Sequence, residues 1–113
     1  MGQNKGSDFM TGVRIWIDDM RPSPVGYIWC KTYNQAIATL EYHIWCEGGI
    51  EEVCFDHDLG EDKSGYDIAK YMVENQIWTK GFSVHSMNPV GRQNIISLLT
   101  HYGYKQSAPS YIK

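Results

Sequence analysis

Apolar residues gather in short runs, and each run stops at a polar cluster. Val13-Arg14-Ile15-Trp16-Ile17 runs into Asp18-Asp19-Met20-Arg21-Pro22. Val53-Cys54-Phe55 runs into Asp56-His57-Asp58-Leu59-Gly60, and Phe82-Ser83-Val84 into His85-Ser86-Met87-Asn88-Pro89. Runs this short, rich in β-branched and aromatic residues, predict strands. The pattern predicts strands over Val13 to Ile17, Tyr27 to Cys30, Glu52 to Phe55 and Phe82 to Ser86. A short fifth falls at Tyr104 to Gln106 or at Ser110 to Ile112.

Between the strands the period changes to that of helices. Ala36, Ile37, Leu40 and Ile44 share one face after Thr32, a helix cap with Gln35 three residues on. Gly48 and Gly49 stop that helix. Ile68, Ala69, Met72 and Val73 define a second helix from Gly65 to Gln76. Ile95, Ile96 and Leu99 define a third, opened by Asn88 as cap and Pro89 as first residue and ending near Gly103. Asp18 to Gly26 contains Pro22, Pro24 and Gly26, which forbid a regular helix and predict a rigid loop. Strands alternating with helical crossovers imply an α/β domain with a parallel sheet. In such sheets ligands bind at the carboxyl ends of the strands, where the three polar clusters fall.

The chain has 113 residues, enough for one domain with a core. The expected organisation is a disordered extension over 1–12 and one domain over 13–113. A net charge of -3 argues against an extended nucleic-acid surface, which needs many phosphate-neutralising cations. Cys30, Cys46 and Cys54 lack metal-type pairing and read as reduced thiols of a cytoplasmic protein. No apolar run approaches the roughly 20 residues that span a bilayer.

Asp18, Asp19, Asp56 and Asp58 end two strands that neighbour each other in such a sheet. Crowded carboxylates repel one another and need a hard cation or a proton. Oxygen ligands suit Mg²⁺ or Mn²⁺. A calcium loop starting at Asp56 fails, because its fifth, sixth and twelfth positions are Gly60, Glu61 and Asp67. His57 and His85 are candidates for general acid and base. Ser86, Asn88, Gly91 and Arg92 read as an anion site at a helix start, with Arg21 as a second phosphate clamp.

Asp18 to Pro22, Phe55 to Gly60 and Val84 to Gly91 carry the patterns Asp-Asp-x-Arg-x-Pro, Phe-Asp-His-Asp-Leu-Gly and Val-His-Ser-x-Asn-Pro-x-Gly. In these the chain resembles the cyclic-phosphate processing receiver-like domain, a derived branch of the response-regulator receivers. The resemblance implies a single flavodoxin-like domain with sheet order 2-1-3-4-5. Relative to receivers, the first helix is replaced by the Pro-rich loop and the C-terminal part is truncated, with Lys105 the nearest candidate for the phosphoryl-gripping lysine. The resemblance also implies an acidic Mg²⁺ site and action on cyclic phosphates. The expected function is a Mg²⁺-dependent phosphoesterase, with a nucleotide or RNA 2′,3′-cyclic end as partner. In the alternative, a non-catalytic module accepts a phosphoryl group at Asp56 or sequesters a nucleotide.

Overall fold

The computed structural model describes residues 12–108. Of the expected extension, residues 1–11 lie outside it, as does the second fifth-strand position at 110–112. Among the described residues are strands β1 (Val13–Ile17), β2 (Tyr27–Cys30), β3 (Ile50–Phe55) and β4 (Gly81–Val84). Three helices join them: α1 (Tyr33–His43), α2 (Gly65–Glu74) and α3 (Pro89–His101). The strands form one parallel sheet of order β2-β1-β3-β4.

Local chemistry sets the helix starts. The Thr32 hydroxyl accepts the Gln35 N–H at 3.1 Å, while the Gln35 side chain reaches back to the N–H of Lys31 rather than to that of Thr32. Ser64 and Asp67 form the reciprocal capping box at α2. The Asn88 side chain accepts the Gly91 N–H at 3.0 Å, and Pro89 opens α3. Helix α2 stops at Glu74, two residues short of expectation, and Gln76 turns into the left-handed region at φ 53°.

The expected fifth strand is one parallel bridge, Phe82 to Gln106. The Phe82 N–H donates to the Lys105 carbonyl at 3.0 Å, and the Ser107 N–H to the Phe82 carbonyl at 2.8 Å. Lys105 therefore enters beside the start of β4, not beside the carboxyl end where a phosphoryl-gripping lysine would stand. Strand β4 ends at Val84 rather than Ser86.

The topology gives the two sheet faces different cover. Steps β2 to β3, β3 to β4 and β4 to Gln106 all cross the sheet in one direction. Right-handed crossovers then put their helices on one face, and α1 packs on α2 and α2 on α3. The step from β1 to β2 runs the opposite way, and residues 18–26 contain no helix. The helix-bearing face holds Ile15, Ile17, Cys30, Val53, Phe55, Phe82 and Val84, packed against Leu40, Ile68, Met72, Ile95 and Leu99. Strand alternation turns Arg14, Trp16, Tyr27, Trp29, Glu52, Cys54 and Ser83 to the other face.

Candidate functional site

Three strand ends meet at the carboxyl edge of the sheet. Each residue just past its strand is still held by the ladder. The Asp18 N–H donates to Cys30, the Asp56 N–H to Ile17 and the His85 N–H to Phe55, at 3.0, 2.9 and 2.9 Å. By alternation all three side chains fall on the face opposite the helices. A ligating atom from each of Asp18, Asp56 and His85 lies within 4.8 Å of the others.

Asp18 is the fixed member. Its Oδ1 accepts the N–H groups of Met20 and Arg21 at 2.8 and 2.7 Å, and its Oδ2 lies 2.9 Å from His85 Nε2. Burial opposes its ionisation, but the Arg21 and Met20 N–H groups and His85 outweigh burial and hold the carboxyl below its usual range. Two indoles lock the same turn. Trp29 Nε1–H donates to the Asp18 carbonyl and Trp16 Nε1–H to the Arg21 carbonyl, at 2.7 and 2.8 Å.

His85 is enclosed. Its ring stacks parallel on Trp16 with centroids 3.9 Å apart, and its side chain is 4% exposed. Burial lowers its pKa, only partly offset by Asp18, so the ring is neutral near pH 7. An ionised Asp18 then assigns the proton to Nε2, leaving Nδ1 to accept from Cys54, whose Sγ is 3.1 Å away. The Ser83 hydroxyl donates to the same sulfur at 3.0 Å. A hydrogen-bonded chain Ser83–Cys54–His85–Asp18 thus runs across the second face. Both nitrogens of His85 are engaged within it.

Asp56 is the strained member. Burial raises its pKa, the Asp18 charge raises it further, and the Ser86 hydroxyl only partly compensates. Two carboxylates and an imidazole converge with too little positive charge between them. A divalent cation fits this donor set, because it would relieve the repulsion that raises Asp56.

The other expected site residues are spread around this centre. Asp19 and Asp58 are not part of the three-residue cluster. Asp19 turns toward Gly60, whose φ of 68° and missing Cβ make room for Oδ2; a Cβ there would stand 2.7 Å from it. Asp58 is drawn to His57 Nδ1 at 3.0 Å and to the Asn88 amide at 3.4 Å. Ser86 accepts the Asn88 N–H at 3.0 Å. Gly91 was expected to admit a ligand to the backbone, but the His57 ring fills that space. Arg92 donates from Nε to the Val84 carbonyl at 3.4 Å and lines a cavity of about 360 Å³ with Ser83, Gln106 and Ser107. Arg21 is exposed, and its charge acts on His85.

Trp16, Cys54 and Ser83 were not read as site residues from the sequence. Each sits two residues before a cluster member, on the same side of its strand, and that spacing is the signal that could have found them.

The fold and site define a small parallel α/β domain with an acidic centre at the carboxyl edge of its sheet, a receiver-like arrangement. Residues 13–101 match the model of the cyclic-phosphate processing receiver domain, and the chain belongs to that family. No curated protein and no solved structure matches it significantly. Among the described residues no helix is long and apolar enough to cross a membrane.

Proposed function

We propose that the protein is a Mg²⁺- or Mn²⁺-dependent phosphoesterase acting on cyclic phosphates, such as a nucleotide or RNA 2′,3′-cyclic end. The observation that carries this reading is the convergence of Asp18, Asp56 and His85 within 4.8 Å, with Asp56 pushed toward its protonated form. Membership in a cyclic-phosphate processing family supports the substrate class. Asp18 and Asp56 would hold the cation, with His85 beside them. When bound, the cation would polarise a phosphoryl oxygen and neutralise charge on the phosphate.

The chain's own residues would do the rest. Asp18 is pre-set by two backbone N–H groups, so it loses little freedom on binding. Arg21 and the polar start of α3 would take the phosphate oxygens. A water would attack phosphorus, and one ring P–O bond would break. The water's proton would end on the leaving oxygen, giving a phosphomonoester and a free hydroxyl. Turnover of 2′,3′-cyclic AMP with Mg²⁺ or Mn²⁺, lost in Asp56→Asn, is the expected result; no turnover with either metal would overturn the reading.

A second reading makes Asp56 a phosphoacceptor. It is favoured by the Ser86 hydroxyl beside an aspartate that ends the central strand β3. Intact mass after incubation with acetyl phosphate and Mg²⁺ distinguishes the two. A phosphoryl adduct absent from Asp56→Asn would establish the acceptor.

A further inference from the structure

His57 and His85 both stand at the carboxyl edge, yet their surroundings differ. His85 has both nitrogens engaged and is buried. His57 is 20% exposed at its side chain, with one nitrogen held. Its Nδ1 lies 3.0 Å from Asp58 Oδ1, and the other Asp58 oxygen takes a longer contact, 3.4 Å, from the Asn88 amide. The ring rests on the first turn of α3 at Gly91. A Cβ at Gly91 would come within 2.4 Å of Cγ, 2.6 Å of Cδ2 and 2.7 Å of Nδ1.

These contacts orient the ring from two sides. Gly91 sets where its plane lies, and Asp58 sets which nitrogen carries the proton. Of the two imidazole tautomers, a carboxylate at Nδ1 selects the one with hydrogen on that atom, which leaves the lone pair on Nε2. The described residues offer Nε2 no partner. This is the arrangement in which a carboxylate prepares an imidazole to take a proton through its far nitrogen.

We propose that His57 is the proton-transfer group of this site, and that Asp58, Asn88 and Gly91 are its positioning residues. The proposal rests on the phosphoesterase reading and removes Asp58 from the metal ligands. In the step it describes, a water gives one proton to Nε2 while its oxygen bonds to phosphorus. One ester P–O bond of the ring breaks, and its electron pair goes to the leaving oxygen. The proton on Nε2 then passes to that oxygen, so the imidazole returns to its starting form.

The test combines three readouts on the full chain. Nitrogen-15 shifts of the neutral His57 ring should report hydrogen on Nδ1 in the unaltered protein and a shift toward hydrogen on Nε2 in Asp58→Asn. Mn²⁺ binding followed by electron paramagnetic resonance should be unchanged in Asp58→Asn but weakened at least about ten-fold in Asp56→Asn. Turnover of 2′,3′-cyclic AMP should fall about 100-fold or more in His57→Ala, whose thermal unfolding should stay near that of the unaltered protein. An Asp58→Asn protein with unchanged ring shifts, or with Mn²⁺ binding as weak as that of Asp56→Asn, overturns the positioning role. A fully active His57→Ala protein overturns the proton transfer. Absence of turnover in the unaltered protein overturns the phosphoesterase reading and the proton-transfer role with it, while the ring shifts still decide the part played by Asp58.

Discussion

The two faces of the one sheet are built on different physics. Toward the helices, Ile15, Ile17, Val53, Phe55, Phe82 and Val84 are buried against apolar helix residues. That face is held mainly by area removed from water and by close packing, with the Cys30 thiol donating to the Thr39 hydroxyl at 3.4 Å. On the other face, Arg14, Tyr27 and Glu52 bond one another at one end, and Trp16, Cys54, Ser83 and His85 at the other. Burial is nearly as deep at the second of these ends, since Cys54, Trp16 and Ser83 are at most 3% exposed. Most of the polar contacts made by the side chains of this face, however, are hydrogen bonds that fix direction as well as distance, from Tyr27 to Glu52 at one end to Cys54 and His85 at the other. Apolar packing tolerates many shapes, whereas a chain of hydrogen bonds allows few. The face that must aim a carboxylate and an imidazole uses the second kind of contact.

Substitutions on the two faces should therefore behave differently. Phe55→Ala, on the helix side, is expected to have the largest effect on stability. Phe55 is fully buried and meets Phe82 edge to face at 6.5 Å. Its truncation should cost about 3–5 kcal/mol in urea unfolding. A loss below about 1 kcal/mol would show that the helix face does not carry the fold in the way described.

The next effect is a gain, confined to the second face. Mg²⁺ or Mn²⁺ at a hundred times its dissociation constant should stabilise the protein by about 2.7 kcal/mol. Calorimetry should find this gain absent in Asp18→Asn and Asp56→Asn. An equal gain in those variants would place the metal elsewhere.

His85→Ala comes third. It removes the stack on Trp16 and the imidazole contacts of Asp18 Oδ2 and the Cys54 thiol, at a cost of about 1–3 kcal/mol. Thermal unfolding of His85→Ala at the level of the unaltered protein would break the claim that directional contacts hold this face.

The smallest effect concerns pH. The folded-state pKa of Asp56 lies above its unfolded value, so as pH rises the unfolded chain releases this proton first. The stability present below the ordinary carboxylate range is partly lost as pH rises through the raised value. Without metal, Asp56→Asn should therefore melt a few degrees higher at most near neutral pH, and the difference should close in acid. A lower melting temperature at neutral pH would mean that the Asp18–Asp56 repulsion is not felt.

Much of this was legible in the chain. The apolar runs located all four strands, because a strand two or more positions deep in a core must be written in apolar residues. Thr32 and Asn88 marked the starts of helices, because capping chemistry is local; Gly48 was expected to stop α1, which ends earlier, at His43 with Ile44 as its cap. That Asp18, Asp56 and His85 come to one edge was legible, because each directly follows a strand and parallel strands end at one edge. A fifth strand was expected at Tyr104 to Gln106 or at Ser110 to Ile112; a single bridge forms at Gln106, and the second position lies outside the described residues. Pairing depends on a neighbour far away in sequence, and no local period records it. The division of labour among the polar residues was likewise decided in three dimensions. Asp19 and Asp58 look equivalent to Asp18 and Asp56 as letters, but a missing Cβ at Gly60 draws one aside and His57 draws the other. Gly91 reads as an opening for a ligand, yet its space belongs to a ring contributed 34 positions earlier. The sequence by itself determined which residues reach the sheet edge, because strand length and alternation are properties of consecutive residues. Only the tertiary structure decided which of them face one another, because a carboxylate's role depends on the charges and donors that long-range packing puts within a few ångströms.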